Sequence, residues 1–353
     1  MTPLGEKIAA LVAQAGPIGI AEYMALCLFD PEHGYYTTRE PFGSAGDFTT
    51  APEVSQMFGE LVAVWVYMAW QAAGSPPEAC VAELGPGRGT LMKDMVRTLA
   101  QFDRAFVERT RFALVESSPR LSEVQRQTLA PAPGRFEWHE RLEQLPDLPT
   151  IIVGNEIFDA LPVRQYVKQG GRWLERCIGL DEAGGLRFML GAGTADPFLL
   201  PPGADSVLDG TVAELAPARE AFMQTAADRI ARFGGAALFF DYGHLEPGLG
   251  DTLQAVRRHA PDGVLDHPGE ADLTSHVDFH RLGRIAEQSG LSIQTATQRD
   301  FLLAMGLAER VEALSVGKSE DERDRIAGEA QRLAGSTAMG ELFKVLLVTP
   351  HAR

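Results

Sequence analysis

The sequence predicts an α/β fold with a parallel sheet covered by helices on both faces. Three short apolar runs, at 80–85, 111–116 and 150–155, have the composition of buried strands, and segments with helical apolar spacing separate them. Strands that alternate with helices in this way form parallel sheets, because each connection crosses one face of the sheet. Further apolar runs at 235–243 and 342–350 supply additional strands.

Three regions depart from this alternating core, which we assign to 76–162 and 234–353. Residues 1–75 combine helical spacing with a Gly/Pro/Tyr-rich loop, so we predict an N-terminal helical region that acts as a lid. Residues 163–233 begin with β-prone runs broken by Gly-Gly pairs, which predicts an antiparallel insertion of β hairpins plus a helix. The polar segment 244–277 lacks periodicity, and we expect a functional loop there.

The composition argues against nucleic acid as a partner. The 353 residues include 48 acidic and 32 basic ones, for a formal net charge of -16, and such a surface repels phosphates. The histidines lack H-E-x-x-H spacing and the three cysteines lie far apart, so we expect no metal site. No secretory signal or apolar stretch of about 20 residues is apparent. We therefore expect a cytoplasmic protein without membrane insertion, or a mitochondrial one if a leader is missing.

A glycine-rich motif, Glu-Leu-Gly-Pro-Gly-Arg-Gly at 83–89, follows the first core strand. Its glycines permit positive φ and close approach of a ligand. Neither the dinucleotide spacing G-x-G-x-x-G nor the lysine of a phosphate loop is present. The carboxylate of Glu83 would repel a pyrophosphate but attract the cationic end of S-adenosylmethionine; a plain strand–helix turn is the alternative. The predicted cofactor-binding residues of this motif are Glu83, Gly85, Pro86, Gly87 and Gly89.

Polar side chains also follow the next core strands. Glu116 ends the run 111–116, where a carboxylate can accept hydrogen bonds from both hydroxyls of a ribose. Asn155, Glu156 and Asp159 crowd the end of the run 150–155. Ligands of open parallel sheets bind beyond the carboxyl ends of the strands, so we predict that Asn155 contacts the amino-acid end of the cofactor. A helix-capping role for Asn155 or Asp159 is the alternative.

Five sequence blocks resemble the MidA family of class I methyltransferases, which are related to the mitochondrial arginine methyltransferase that assists assembly of respiratory complex I. The blocks read ELGPGRG, GNEIFDALP, GDFTTAPEVSQMFGE, FFDYGH and MGELFKVL. The resemblance implies a Rossmann-like class I methyltransferase sheet of seven strands, with S-adenosylmethionine as methyl donor and S-adenosylhomocysteine as product. It also implies symmetric dimethylation of an arginine on a complex I subunit or assembly intermediate.

These observations lead to a hypothesis for catalysis by paired carboxylates. Glu156 and Asp159 would bind a guanidinium group and direct one nitrogen at the methyl group, with Asn155 beside them. The predicted substrate-side or lid residues are Tyr36, Asp47, Phe48, Glu53 and Asp241. The insertion 163–195 would dock the arginine-bearing protein or form a homodimer. Methylation of a small molecule or of another protein side chain, and a non-catalytic chaperone of respiratory-complex assembly, remain open alternatives.

Overall fold

The computed structural model describes residues 1–38 and 49–351, and the structural statements below concern those residues. The helices are α1 (Pro3–Ala15), α2 (Ile20–Phe29), α3 (Tyr35–Thr38), α4 (Ala51–Val54), α5 (Gln56–Ala72), α6 (Thr90–Phe102), α7 (Arg104–Arg109), α8 (Pro119–Leu129), α9 (Pro217–Phe233), α10 (Phe279–Gln288), α11 (Gln298–Ala304), α12 (Leu307–Ser315), α13 (Glu320–Ala334) and α14 (Met339–Leu342). The strands are β1 (Ile18–Gly19), β2 (Cys80–Leu84), β3 (Arg111–Val115), β4 (Arg135–His139), β5 (Thr150–Asn155), β6 (Arg164–Gln169), β7 (Arg172–Leu180), β8 (Leu186–Thr194), β9 (Val212–Leu215), β10 (Gly235–His244), β11 (Gln254–Arg257), β12 (Ala260–Asp262), β13 (Asp272–Thr274), β14 (Val277–Asp278), β15 (Leu291–Thr297) and β16 (Phe343–Pro350).

The chain divides into two compact units, each built from three separate segments. The first unit comprises the described part of Met1–Phe48, Phe158–Ala221 and His244–Arg281. The second unit comprises Thr49–Ile157, Phe222–Gly243 and, as far as it is described, Leu282–Arg353. The boundaries that the sequence suggests for an N-terminal region, a core and an insertion stay a prediction.

The second unit contributes seven of the described strands to its sheet, in the order β15-β16-β10-β5-β2-β3-β4. The strands from β10 to β4 are parallel to their neighbours. In contrast, β16 runs antiparallel to both β10 and β15. These seven strands agree with the sheet that the family resemblance implies. The last strand of the chain, β16, lies between β10 and the edge strand β15.

The candidate site lies where successive strands of the chain are added to opposite sides of β2. From β2 the chain builds outward through β3 to β4, whereas β5 pairs with the opposite side of β2. The connections therefore diverge beside β2 and leave a crevice at the carboxyl ends of β2 and β5, where such folds bind their ligands. All five residues of β2 are buried, because the apolar core packs beneath this edge.

The first unit contains an antiparallel sheet and a helical layer. β7 pairs with β1, β6 and β8, and β9 pairs with β6, all antiparallel. Gly170 and Gly171 form the turn between β6 and β7 with φ of 57° and 75°, as the Gly-Gly pair predicts. Side chains of α1 and α2, including Ile8 and Tyr23, pack with Ile178 of β7 in one apolar cluster.

Three segments differ from their sequence-based expectations. The expected loop 244–277 contains a small antiparallel sheet of β11, β12 and β13. The helical stretch predicted from Glu53 is divided, since the extended backbone of Ser55 separates α4 from α5. The stretch 299–334 is likewise divided into α11, α12 and α13, with left-handed glycines at Gly306 and Gly317 near the breaks. In the described residues, no helix combines the length and apolar character needed to span a membrane.

Candidate functional site

The glycine motif forms a tight turn that leads from β2 into α6. Gly85, Gly87 and Gly89 have φ of 59°, 53° and 80°, a region that glycine adopts readily and other residues rarely do. A Cβ atom on Gly85 would lie 3.0 Å from Cγ2 of Ile157. The Gly89 amide donates to the Pro86 carbonyl oxygen at 2.7 Å, which closes the turn. The turn therefore depends on glycine conformations and close packing, and binding of the methyl donor by its backbone stays a prediction.

Glu83 is buried directly before this turn. Its side chain is almost fully buried, and Oε2 has no hydrogen-bond partner among the described residues. Burial raises the pKa of Glu83 well above its usual range, while a hydrogen bond from the backbone of Met92 opposes that shift. A cationic ligand nearby would favour the charged form, so this carboxyl suits the amino-acid end of the predicted donor.

Glu116 follows β3 and carries a carboxylate that is oriented by its own turn. The Ser118 amide donates to Oε1 at 2.8 Å, and the side-chain amide of Gln125 donates to Oε2 at 3.2 Å. Burial raises the pKa of Glu116, against the effect of these hydrogen bonds and of the nearby Arg120 charge. A fixed carboxylate of this kind can accept hydrogen bonds from ribose hydroxyls.

Gln125 is a residue of this site that the sequence analysis missed. It lies on α8, has no exposed surface, and contacts both the glycine motif and Glu116. Its sequence signal is its position: Leu121, Gln125 and Leu129 occupy one buried face of α8 at four-residue spacing. A glutamine on an otherwise apolar face of a helix indicates a buried hydrogen-bond network.

The end of β5 holds Asn155 and Glu156 in a constrained arrangement. Glu156 has φ of 55°, a left-handed conformation that costs about 1 kcal/mol or more for a residue with a side chain. The backbone amide of Glu156 donates to the Phe240 carbonyl oxygen at 2.8 Å. The side-chain amide of Asn155 donates to Oε1 of Glu156 at 2.9 Å. Oδ1 of Asn155 is buried and has no partner in the described part of the chain. Strained residues of this type concentrate at functional sites.

Ile157 packs between two strand ends and was also missed from the sequence. A Cβ atom on Gly154 would lie 2.7 Å from Cδ1 of Ile157, and one on Gly85 would lie 3.0 Å from its Cγ2. A side chain at either position would displace Ile157 from the ends of β2 and β5. This contact links the GNEIFDALP block to the ELGPGRG block.

Glu53 connects the predicted lid to the start of α6. Its Oε1 accepts a hydrogen bond from the Thr90 hydroxyl at 2.5 Å, and its Oε2 lies 3.9 Å from a guanidinium nitrogen of Arg88. Both partners adjoin the last glycine of the motif. The predicted lid residues Asp47 and Phe48 lie outside the described residues.

The remaining predicted residues are buried or hydrogen-bonded within their own units. Asp241 lies in β10 without exposed surface and accepts a hydrogen bond from the Tyr242 amide at 3.0 Å. In the first unit, the Tyr36 hydroxyl contacts both carboxylate oxygens of Asp272, at 3.1 and 3.2 Å. Asp159 is almost fully buried in that unit. Its pairing with Glu156 therefore stays a prediction.

A sheet of seven strands with one antiparallel member, a glycine turn after β2 and a carboxylate after β3 define a class I S-adenosylmethionine-dependent methyltransferase. A family model described as "Putative S-adenosyl-L-methionine-dependent methyltransferase" matches residues 61–297. The crystal structure of a Burkholderia thailandensis protein bound to S-adenosyl-homocysteine superposes with a TM-score of 0.87 and 31% identity, covering 98% of this chain and 91% of that chain.

Sequence comparison with relatives of known name identifies the family more closely. The mitochondrial protein arginine methyltransferase NDUFAF7 of Xenopus tropicalis is 34% identical over 371 residues, which cover 97% of this chain and 84% of the relative. The human protein of the same name is 33% identical and covers 100% of this chain and 85% of the relative. This chain belongs to the MidA family of S-adenosylmethionine-dependent methyltransferases. The comparisons confirm the fold class, the reaction class and the methyl donor that the sequence predicts.

Proposed function

We propose that this enzyme methylates an arginine side chain of a protein, to the symmetric dimethyl form, on a complex I subunit or assembly intermediate. Relatives named protein arginine methyltransferases match it over nearly its full length. The structural observation that supports the proposal is the strained, oriented carboxylate of Glu156 at the end of β5. An acidic net charge of -16 also suits a basic substrate.

The protein's part in the reaction is to orient an acceptor that is a poor nucleophile. The guanidinium of arginine has a pKa above about 12 and stays protonated in water. Glu156 would accept hydrogen bonds from it and receive the proton that the methylated nitrogen releases, while the Asn155 side-chain amide orients the carboxylate through Oε1. Asp159 is the second candidate for this contact. When bound, S-adenosylmethionine supplies a methyl group on a positively charged sulfur.

The donor's own contacts are assigned to the second unit. The backbone of Gly85, Gly87 and Gly89 would hold the donor, and Glu116 would bind its ribose. Glu83 and Asn155, each with a buried oxygen that lacks a protein partner in the described residues, would face its amino-acid end. Fixed positions of this kind convert a bimolecular step into an effectively unimolecular one, which can lower the barrier by about 7–11 kcal/mol.

Labelled donor incubated with lysate from a strain that lacks this protein tests the acceptor, with mass spectrometry to identify the marked residue. We expect label on arginine, and a loss of about 100-fold or more in Glu156→Gln, whose affinity for S-adenosylhomocysteine is retained. Glu143→Gln, at an exposed position, serves as the matched control. Unchanged labelling by Glu156→Gln would refute the catalytic assignment.

Other outcomes of the same experiment separate the alternatives. Label on a small molecule, or on a side chain other than arginine, would support the second hypothesis. An absence of label, combined with co-purification of a respiratory-complex subunit from the same lysate, would support the assembly chaperone. Docking of the substrate on the insertion 163–195, a homodimer and a cytoplasmic location stay predictions, and the curated relatives are named as mitochondrial proteins.

A further inference from the structure

Gln125 connects the two parts of the cofactor site through one side chain. Its Nε2 donates to the Gly87 carbonyl oxygen at 2.9 Å and to Glu116 Oε2 at 3.2 Å. Its Oε1 accepts a hydrogen bond from Trp138 Nε1 at 3.0 Å. These three partners follow or belong to β2, β3 and β4, so the amide bridges three neighbouring strands of the sheet.

The chemistry of the partners fixes how this amide points. The indole of Trp138 can only donate, so the oxygen of Gln125 must face it and the amino group must face the glycine motif. Each of the two amide hydrogens then has one acceptor, Gly87 or Glu116. Because Gln125 has no exposed surface, water cannot replace a lost partner. The side chain therefore has a single satisfied orientation.

The backbone of α8 approaches the same turn. A Cβ atom placed on Gly89 would lie 3.5 Å from Cγ and 3.6 Å from Cα of Gln125, which is ordinary van der Waals contact. Gln125 thus packs against Gly89, the last glycine of the motif, while its side-chain amide donates to Gly87. Both contacts limit how far the motif can move from Glu116.

We propose that Gln125 is a positioning residue that sets the distance between the glycine motif and Glu116, and thereby the fit of the adenosine part of the methyl donor. The proposal rests on the assignment of Glu116 to the ribose and is independent of the methyl acceptor. A residue acting in this way changes the affinity for the donor and its dependence on the ribose hydroxyls, not the rate at saturation.

Calorimetry with S-adenosylhomocysteine and its 2′-deoxy analogue tests this role. In the native protein we expect loss of the hydroxyl to weaken binding about tenfold. Gln125→Met preserves length but cannot donate, so we expect it to bind S-adenosylhomocysteine about tenfold more weakly and to discriminate less than about twofold between the probes. Full discrimination in Gln125→Met, or unchanged affinity, would overturn the proposal.

A second variant adds a rescue by pH. In Gln125→Glu the introduced carboxyl still accepts from Trp138 but donates only when protonated. The charged groups around its partners are Glu116 itself, Arg120, whose charge lowers the pKa of Glu116, and Arg126, whose guanidinium lies 4.7 Å from the centre of the Trp138 ring. We expect this variant to recover about tenfold in affinity between pH 8 and pH 5.5 relative to Gln125→Met. Parallel pH profiles of the two variants would contradict the proposal.

Gln298→Met is the matched control, because Gln298 is also fully buried in the second unit and donates to the Leu333 carbonyl oxygen. It should lose stability comparable to Gln125→Met in urea unfolding while both probes bind as they do to the native protein. Equal affinity of the native protein for both probes would overturn the assignment of Glu116 and the proposal with it. The labelling experiment on Glu156 would be unaffected by that result.

Discussion

Two regions of the molecule, one in each unit, hold their backbone by different means. At the carboxyl edge of the sheet in the second unit, glycine conformations and short-range turns fix the backbone, as Gly85, Gly87 and Gly89 show. In the first unit, buried cations bind carbonyl oxygens that are distant in the sequence. The first arrangement is encoded locally and is visible in a motif, whereas the second depends on contacts that form only after the chain has folded.

Arg219 and Lys168 illustrate the long-range arrangement. The guanidinium of Arg219 donates to the carbonyl oxygens of Asp159 and His276, at 3.0 and 2.6 Å, and to the Ser275 hydroxyl at 2.6 Å. The ammonium group of Lys168 donates to the carbonyl oxygen of Asp205 at 2.7 Å and to those of the flanking segment. Both cations are almost fully buried, so these carbonyl groups replace their hydration.

Gly87→Val should have the largest effect and tests the locally encoded arrangement. A β-branched side chain strongly disfavours φ near 53° and would occupy the space where backbone meets the ligand. We expect calorimetry to show affinity for S-adenosylhomocysteine reduced more than about 100-fold. Gly170→Val is the control, since Gly170 has a similar φ of 57° and open space around its α-carbon. Retained affinity in Gly87→Val would refute the role of the motif.

Arg219→Met tests the long-range arrangement. Removing the guanidinium takes a donor from the buried carbonyl group of Ser275 and one of two donors from that of Asp159, so we expect the free energy of unfolding to fall by about 3 kcal/mol. Urea unfolding measures the change. Arg187→Met, at an exposed position, should change the stability by less than about 0.5 kcal/mol. Equal effects of the two substitutions would show that the buried network is not stabilising.

A smaller effect should appear at a buried carboxyl of the second unit. Burial raises the pKa of Asp94 to about 6, although Arg97 lies 3.1 Å away and opposes the shift. The folded state then holds this proton more tightly than the unfolded state, so the free energy of unfolding should fall as pH rises from about 4 to 6. The decline should be on the order of 2 kcal/mol. Asp94→Asn should lack this decline. Stability curves against pH that run parallel for the native protein and Asp94→Asn would show that Asp94 does not cause it.

The contrast between local and long-range contacts also explains which features the sequence revealed. The strands around the glycine motif were predictable, because their apolar runs are buried on both faces and end at glycines or carboxylates. The hairpin insertion was predictable from the Gly-Gly turn at Gly170 and Gly171. In each case the signal lies within a few residues of the structure that it specifies.

The features that could not be predicted depend on partners far along the chain. The strands within 244–277 lack apolar alternation, and a charged cluster accompanies them: Asp262 lies 2.8 Å from His267 and 3.1 Å from Arg257. Gln125 resembles an ordinary helical residue until Gly87 and Glu116 are brought to it. Periodicity reports which face of an element is buried, but not which polar groups meet there.

The most direct test of the central claim is a crystal structure of this protein with S-adenosylhomocysteine bound. We predict that both ribose hydroxyls lie within about 3.2 Å of the Glu116 carboxylate and that the amino-acid end contacts the glycine motif beside Asn155. A ligand bound away from the carboxyl ends of β2 and β3, or a ribose that does not contact Glu116, would contradict the claim.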